Sequence, residues 1–225
     1  MVKSGSIRER IRELRATMPR ATPLILTEFV TMHGDAQAFP GWSSSVSHAL
    51  YMATVWTHWL NMGIPWGNGD DFLWAGQRGM LGGRPDYTYT ADAVTRQALS
   101  PMFSAGGAVL RTRVVRNRVV RPAVTAPESY PVLTVGATRA EGAVHLVVVN
   151  RHPSDALTAR VRLDGRRARG GASVRTVAGR SFASWNRPDS PPSVVLRTRS
   201  RRVGTTGFTH RFPAHSTTVL RIPLR

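Results

Sequence analysis

The sequence predicts an α/β segment followed by an all-β one, and three observations carry that division. Apolar residues recur at helical spacing over residues 6–18 and 46–62, with short, nearly unbroken apolar runs at 23–29 and 64–66. From Gly107 onward the period shortens from 3.6 to two. Short runs of that second kind are separated by turn pairs such as Glu141-Gly142 and Asp164-Gly165.

The first helix is predicted over residues 6–18. Ser6 can cap it, with Glu9 three residues later as in a capping box. Ile7, Ile11 and Leu14 make one narrow apolar stripe, and Pro19 stops the helix. Pro23-Leu24-Ile25-Leu26-Thr27-Glu28-Phe29 then reads as a parallel strand buried on both faces, with Glu28 near its open end. A polar loop leads to the second helix, whose apolar arc is wide and whose stop is Gly63. Ile64-Pro65-Trp66 opens a second short strand, a long loop runs from Phe72 to about Thr90, and a third helix covers 90–103. Strands are predicted at 132–137, 143–149, 159–163, 173–177, 194–197 and 217–222.

Alternating strands and helices imply parallel βαβ units, yet two strands cannot make a sheet covered on both faces. A complete (β/α)₈ barrel takes about 250 residues. Residues 1–105 are therefore predicted to be the last βα units of a truncated TIM barrel. Residues 106–225 are predicted to be a C-terminal antiparallel β-sandwich. The chain is expected to begin inside a longer enzyme, by truncation or by a gene model started too late.

The net charge is +18, the pI about 11.8, and 41% of residues are hydrophobic. A folded core is expected. Such a charge points to polyanions, but Lys3 is the only lysine, and nucleic-acid binders usually mix lysine with arginine. The arginines read first as a coding preference, which argues against a nucleic-acid partner. Arg111, Arg113, Arg116, Arg118 and Arg121 alternate with valines, as solvent-facing strand positions do. With no cysteine, disulfides and thiolate chemistry are excluded. The N-terminus carries no apolar leader, and no apolar run is long enough to span a membrane. No cofactor or metal motif occurs; His48 and His58 stand ten residues apart on one helix and read as structural. Compartment and oligomeric state stay open. The flank of an incomplete barrel is expected to be apolar and prone to self-association.

Glu28 is the candidate catalytic group. Barrel enzymes place catalytic residues at the C-terminal ends of their strands, and a glycosidase needs a carboxylate there as nucleophile or as acid/base. Asp70 and Asp71, after the next strand, read as solvated turn residues. Trp66 and Trp74, with Tyr87 and Tyr89, surround the predicted mouth, and aromatic faces stack on sugar rings while groups such as Asn68 take hydroxyls. Trp66, Asn68 and Trp74 are the candidate substrate-binding residues.

Several ordered segments resemble the α-L-arabinofuranosidases of glycoside hydrolase family 51. The run ending in Glu28-Phe29 is similar to the family's seventh barrel strand, and residues 46–61 to the helix after it. The runs 131–138 and 145–151 resemble the first paired strands of its C-terminal sandwich, and 212–221 its closing strand. Asn186 followed by Pro188 and Val194 fits the same pattern. The resemblance implies retaining hydrolysis of terminal arabinofuranosyl residues in arabinose-containing polysaccharides, with Glu28 as nucleophile. Its acid/base is a glutamate after an asparagine at the end of the fourth strand; no Asn-Glu pair occurs in this sequence, so this chain alone is expected to be inactive. The competing reading is a non-catalytic β-sandwich module that holds carbohydrate or polyanion.

Overall fold

The computed structural model describes residues 4–19, 22–25, 42–64, 81–82, 88–104, 106–121 and 129–225. The first described element is helix α1 (Ser4–Thr17). It starts two residues before the predicted boundary, so Ser6 lies inside the helix and not ahead of it. The N–H groups of a first turn have no intrahelical partner in any case, so a helix can begin there without the predicted box. The predicted stripe also narrows: Ile11 is buried, but Leu14 is 51% exposed.

Helix α2 (Val46–Asn61) is buried along most of its length. Gly63, at φ +66, takes the left-handed conformation after it and donates its N–H to Leu60 O. The predicted long loop contains a small ladder, β1 (Leu81–Gly82) with β2 (Thr88–Tyr89), which leads directly into α3 (Ala91–Ser104). The Thr90 hydroxyl caps α3 by accepting from Ala93 N–H. Pro101 sits inside α3 and cannot donate to the Gln97 carbonyl; the Ser100 hydroxyl donates to that carbonyl instead, at 3.1 Å.

The rest of the chain is β. Strands β3 (Ala108–Leu110), β6 (Leu133–Ala140), β7 (Ala143–Asn150), β9 (Gly171–Ala178), β10 (Val195–Arg202) and β12 (Ser216–Pro223) form one antiparallel sheet, in the order β10-β9-β12-β7-β6-β3. Strands β8 (Leu157–Arg162) and β11 (Gly207–Phe212) make a separate antiparallel pair, and β4 (Val119–Val120) pairs with β5 (Tyr130–Pro131). The turn between β6 and β7 is Glu141-Gly142, both at positive φ (49 and 66). That is the two-residue geometry whose twist matches a hairpin.

Side-chain parity assigns the faces of the large sheet. Val147, Val149, Val177 and Val219 pack with α2 and α3 in one apolar cluster. Leu146, Val148, Val174, Leu220 and Ile222 point the other way, onto Phe208 and Phe212 of β11. The architecture is thus β-sandwich-like, with a helical layer on the outer face of its large sheet. Gly136 marks where α2 crosses β6: a Cβ there would stand 2.9 Å from the Thr57 methyl and 3.2 Å from Leu60.

Two sequence expectations are corrected. Residues 111–118 are not a strand: a turn falls at Val115-Arg116, where Arg116 has φ 58, and Val109, Val115 and Val119 are 45–65% exposed. The alternation has no second layer to bury its valines. Side chains take the place of a ladder, with Asn117 exchanging two hydrogen bonds with Leu133 and Thr112 donating to Val135 O. Strand β11, by contrast, was not anticipated, because its Thr-His-Arg centre carries no apolar alternation.

The buried edge of the helix-facing side is polar. His145 and its cross-strand partner Thr138 are each 2% exposed, and neither ring nitrogen of His145 nor the Thr138 hydroxyl finds a hydrogen bond. Burial pushes the imidazole below its ordinary value; Arg221 adds to this and Glu141 opposes it. The unfolded chain then takes up protons before the folded one does. Stability is expected to fall as pH drops below about 6.5 and to level off below the folded-state value. Urea midpoints at pH 7.5 and 5.0 check this, with a smaller difference expected in H145Q. The two clusters lie on opposite faces of one sheet, so Leu50→Ala and Leu220→Ala should each cost about 2–5 kcal/mol within a single cooperative transition. Coincident denaturation curves by far-ultraviolet circular dichroism and tryptophan fluorescence check this.

Candidate functional site

Glu28, Trp66, Asn68 and Trp74 lie outside the described residues, as do Asp70, Asp71 and Tyr87. What is described is the frame on which those segments start. Leu24, before Glu28, and Ile64, before Trp66, both pack against the apolar cluster shared by α2, α3 and the large sheet. Ile25, by contrast, is 48% exposed. His48 and His58 share α2 as expected, His48 being buried.

The N-terminal ends of α2 and α3 are held by one segment of the β part, residues 181–194. The orphan N–H groups of α2 are satisfied from it: Val46 donates to Ser184 O and Ser47 to Phe182 O, both at 2.9 Å. Asn186 reaches the other helix. Its Nδ2 donates to Tyr89 O at 3.0 Å, 97 residues away in sequence, and to Val194 O at 2.9 Å. Its Oδ1 accepts from Val194 N–H at 2.8 Å. Asn186 is buried, and both polar ends of its side chain are used. A third link joins the helices, where Arg96 pairs with Asp92 at 3.0 Å and lies 4.5 Å over the Trp56 ring.

Beside this clasp lies a groove of about 730 Å³. One wall is Thr88, Tyr89, Val94 and Gln97; the other is Arg187, Pro188 and the β9–β10 face at Arg175, Leu196 and Thr198. Tyr89 is 64% exposed. Arg187 stacks over the Trp185 ring at 5.3 Å. The groove joins an open aromatic face to hydroxyl, amide and guanidinium groups, a combination that suits a polyhydroxylated ligand. Of the aromatics expected near the site, Tyr89 is the one the described residues place in an open groove.

A second polar knot sits at the far end of β7. Asn150 Nδ2 donates to the carbonyls of Asp155, Phe212 and Pro213, and its Oδ1 accepts from His152 N–H. Arg151 is buried, donates to Pro131 O and stacks 4.9 Å over Tyr130. Burial pushes that guanidinium down to about 10. Nδ1 of His152 accepts from two backbone N–H groups, which leaves its proton on Nε2, facing Asp155 at 3.3 Å. These contacts turn the chain at a sheet corner; the motif residues that resembled a family pattern here, Asn150 and Arg151, are structural.

Asn186→Ala removes three hydrogen bonds and leaves Tyr89 O and Val194 N–H without their partner. A loss of about 2–4 kcal/mol is expected from denaturant titration, with faster proteolytic cleavage within residues 181–194.

No protein-family model and no curated protein sequence matches the chain. Solved structures do. The family 51 arabinofuranosidase from Xanthomonas axonopodis pv. citri superposes with a TM-score of 0.83 at 17% identity, over 98% of this chain and 46% of that one. The α-L-arabinofuranosidase from Thermotoga maritima, solved as an arabinose complex, gives 0.73 at 17% identity, over 97% and 47%. A family 30 endoxylanase from Clostridium papyrosolvens gives 0.56 at 12%, over 95% and 44%. The chain spans about half the length of the structures it matches. Over that span, helices and strands together, it has the fold of a family 51 arabinofuranosidase, consistent with that enzyme's C-terminal part.

Proposed function

We propose that this chain is the C-terminal part of a retaining glycoside hydrolase that removes terminal arabinofuranosyl residues from arabinose-containing polysaccharides. The likeness to family 51 arabinofuranosidases over 98% of the chain carries the reading. Residues 1–105 would supply the last βα units of its barrel and 106–225 its sandwich. Two features support the barrel assignment. Leu24 and Ile64 start their segments on the same apolar layer, each adjoining a helix that packs there. The N-termini of α2 and α3 share one side of the molecule, joined by the Asn186 clasp. In a βα unit that side is where the strand ends, and barrel enzymes keep their chemistry there.

Glu28 would then be the nucleophile. Its carboxylate attacks the anomeric carbon as the glycosidic C–O bond breaks, giving a covalent glycosyl-enzyme that water hydrolyses. Trp66 and Trp74 would stack on the sugar and Asn68 would take a hydroxyl. The leaving oxygen needs a proton from a second carboxylate. The family's Asn-Glu pair occurs nowhere in the sequence, so on this reading the acid/base would come from a segment other than these 225 residues. General acid catalysis is worth about 10²–10⁴-fold, and on this reading most of the sugar pocket would come from the same other segment. The 225-residue chain should therefore show no turnover of a nitrophenyl arabinofuranoside above background. Robust turnover that disappears in E28Q would overturn the requirement for a second segment.

A further inference from the structure

We propose that the helix-facing side of β9–β10, beyond the end of the helical layer, binds an acidic polysaccharide chain. Near one end of these strands the face is apolar, with Val177 and Leu196 in the cluster with α2 and α3. Two residues further along, about 7 Å on the same face, stand the cross-strand partners Arg175 and Thr198. The next row is Arg221, Ser173 and Ser200 across three strands, and the row after it ends in Arg202. The Arg175 row lines the 730 Å³ groove described above, and the Ser173 row lines a further hollow of about 570 Å³ that includes Arg169 and Arg202. Together they form a strip that starts beside the exposed Tyr89 and leaves the helices behind.

The chemistry of the strip is one-sided. Among the described residues, no carboxylate lines either hollow. Arg175 is half-buried yet has no hydrogen-bond or ion-pair partner among the described residues, although a guanidinium presents five donors in a fixed fork. Charge on an edge strand keeps a further strand from pairing with it, and β10 is the edge. That does not explain Arg175, which is on the second strand in. Planar carboxylates match that fork in a two-point contact, while Ser173, Thr198, Ser200 and Gln97 suit sugar hydroxyls and Tyr89 a ring face. Uronate-bearing glycan fits all three groups: its carboxylates the guanidinium forks, its hydroxyls the side-chain hydroxyls and amide, its ring faces Tyr89. The choice of glycan among polyanions rests on the carbohydrate reading above; the location of the site does not.

The test is affinity electrophoresis and calorimetry of the 225-residue chain with polygalacturonate, neutral arabinan and duplex DNA. Polygalacturonate should bind at least tenfold more tightly than arabinan. The double variant R175Q/R202Q should lose tenfold or more, and R202Q alone, at an exposed site, a smaller part. R197Q/R199Q, on the opposite face of β10, should change affinity less than twofold. E28Q should bind as well as the parent, which separates this site from the arabinofuranosidase reading. Equal losses from both arginine pairs would overturn the proposal in favour of diffuse charge, and so would tighter binding to DNA or no binding to polygalacturonate.

Discussion

Strand β7 is buried at every position from Ala143 to Asn150. An antiparallel strand with one wet face alternates; this one cannot, because α2 and α3 cover its odd residues while β8 and β11 cover its even ones. Its run of Val147, Val148 and Val149 supplies apolar surface to both layers at once. Without the helices, Val147, Val149 and Val219 would form an exposed apolar stripe on the sheet. The helical and β parts of the chain are therefore joined by burial of the same strands, whatever their origin as domains. The ends of β7 are handled differently. Asn150 closes one by satisfying three carbonyls from two other segments. At the other, His145 stays buried as a neutral imidazole beside Arg221.

The clasp at Asn186 depends on that joined core. A side-chain amide can bridge Tyr89 and Val194 only because α3 already lies over β9, β10 and β12. The same segment then caps α2 through Ser184 and Phe182, so one loop serves both helix ends. Where the helical layer stops, the sheet face changes from valine and leucine to arginine, serine and threonine within one step of the strand period. The groove at Tyr89 and the basic strip beyond it are the two sides of that edge.

Much of the fold was legible in the local pattern. The period of two located β6, β7, β8, β9, β10 and β12 to within a few residues, because hairpin turns such as Glu141-Gly142 need particular residue types. The wide apolar arc of residues 46–62 marked α2 as deeply packed, since no solvated helix carries Leu50, Val55 and Trp59 together. The candidate site was read from position on predicted strands, and its four residues fall outside the described part. Asn186 stands out in the sequence only as part of a family pattern, and its role as a clasp carries no local signal.

The sequence by itself determined the three helices, the long strands of the large sheet, where tight turns such as Glu141-Gly142 fall, and that the second half is antiparallel. These follow from backbone geometry and from the period at which side chains reach one face. Tertiary structure alone decided which faces are covered. Leu14 is exposed and Ile11 buried because only one of them meets α2. The Arg-Val run at 111–118 stays outside the large sheet, whereas Arg175 is half-buried in the groove beside α3. Burial and hydrogen bonding between residues separated by as many as 97 positions are properties of the packed layers, and no periodicity within a segment encodes them.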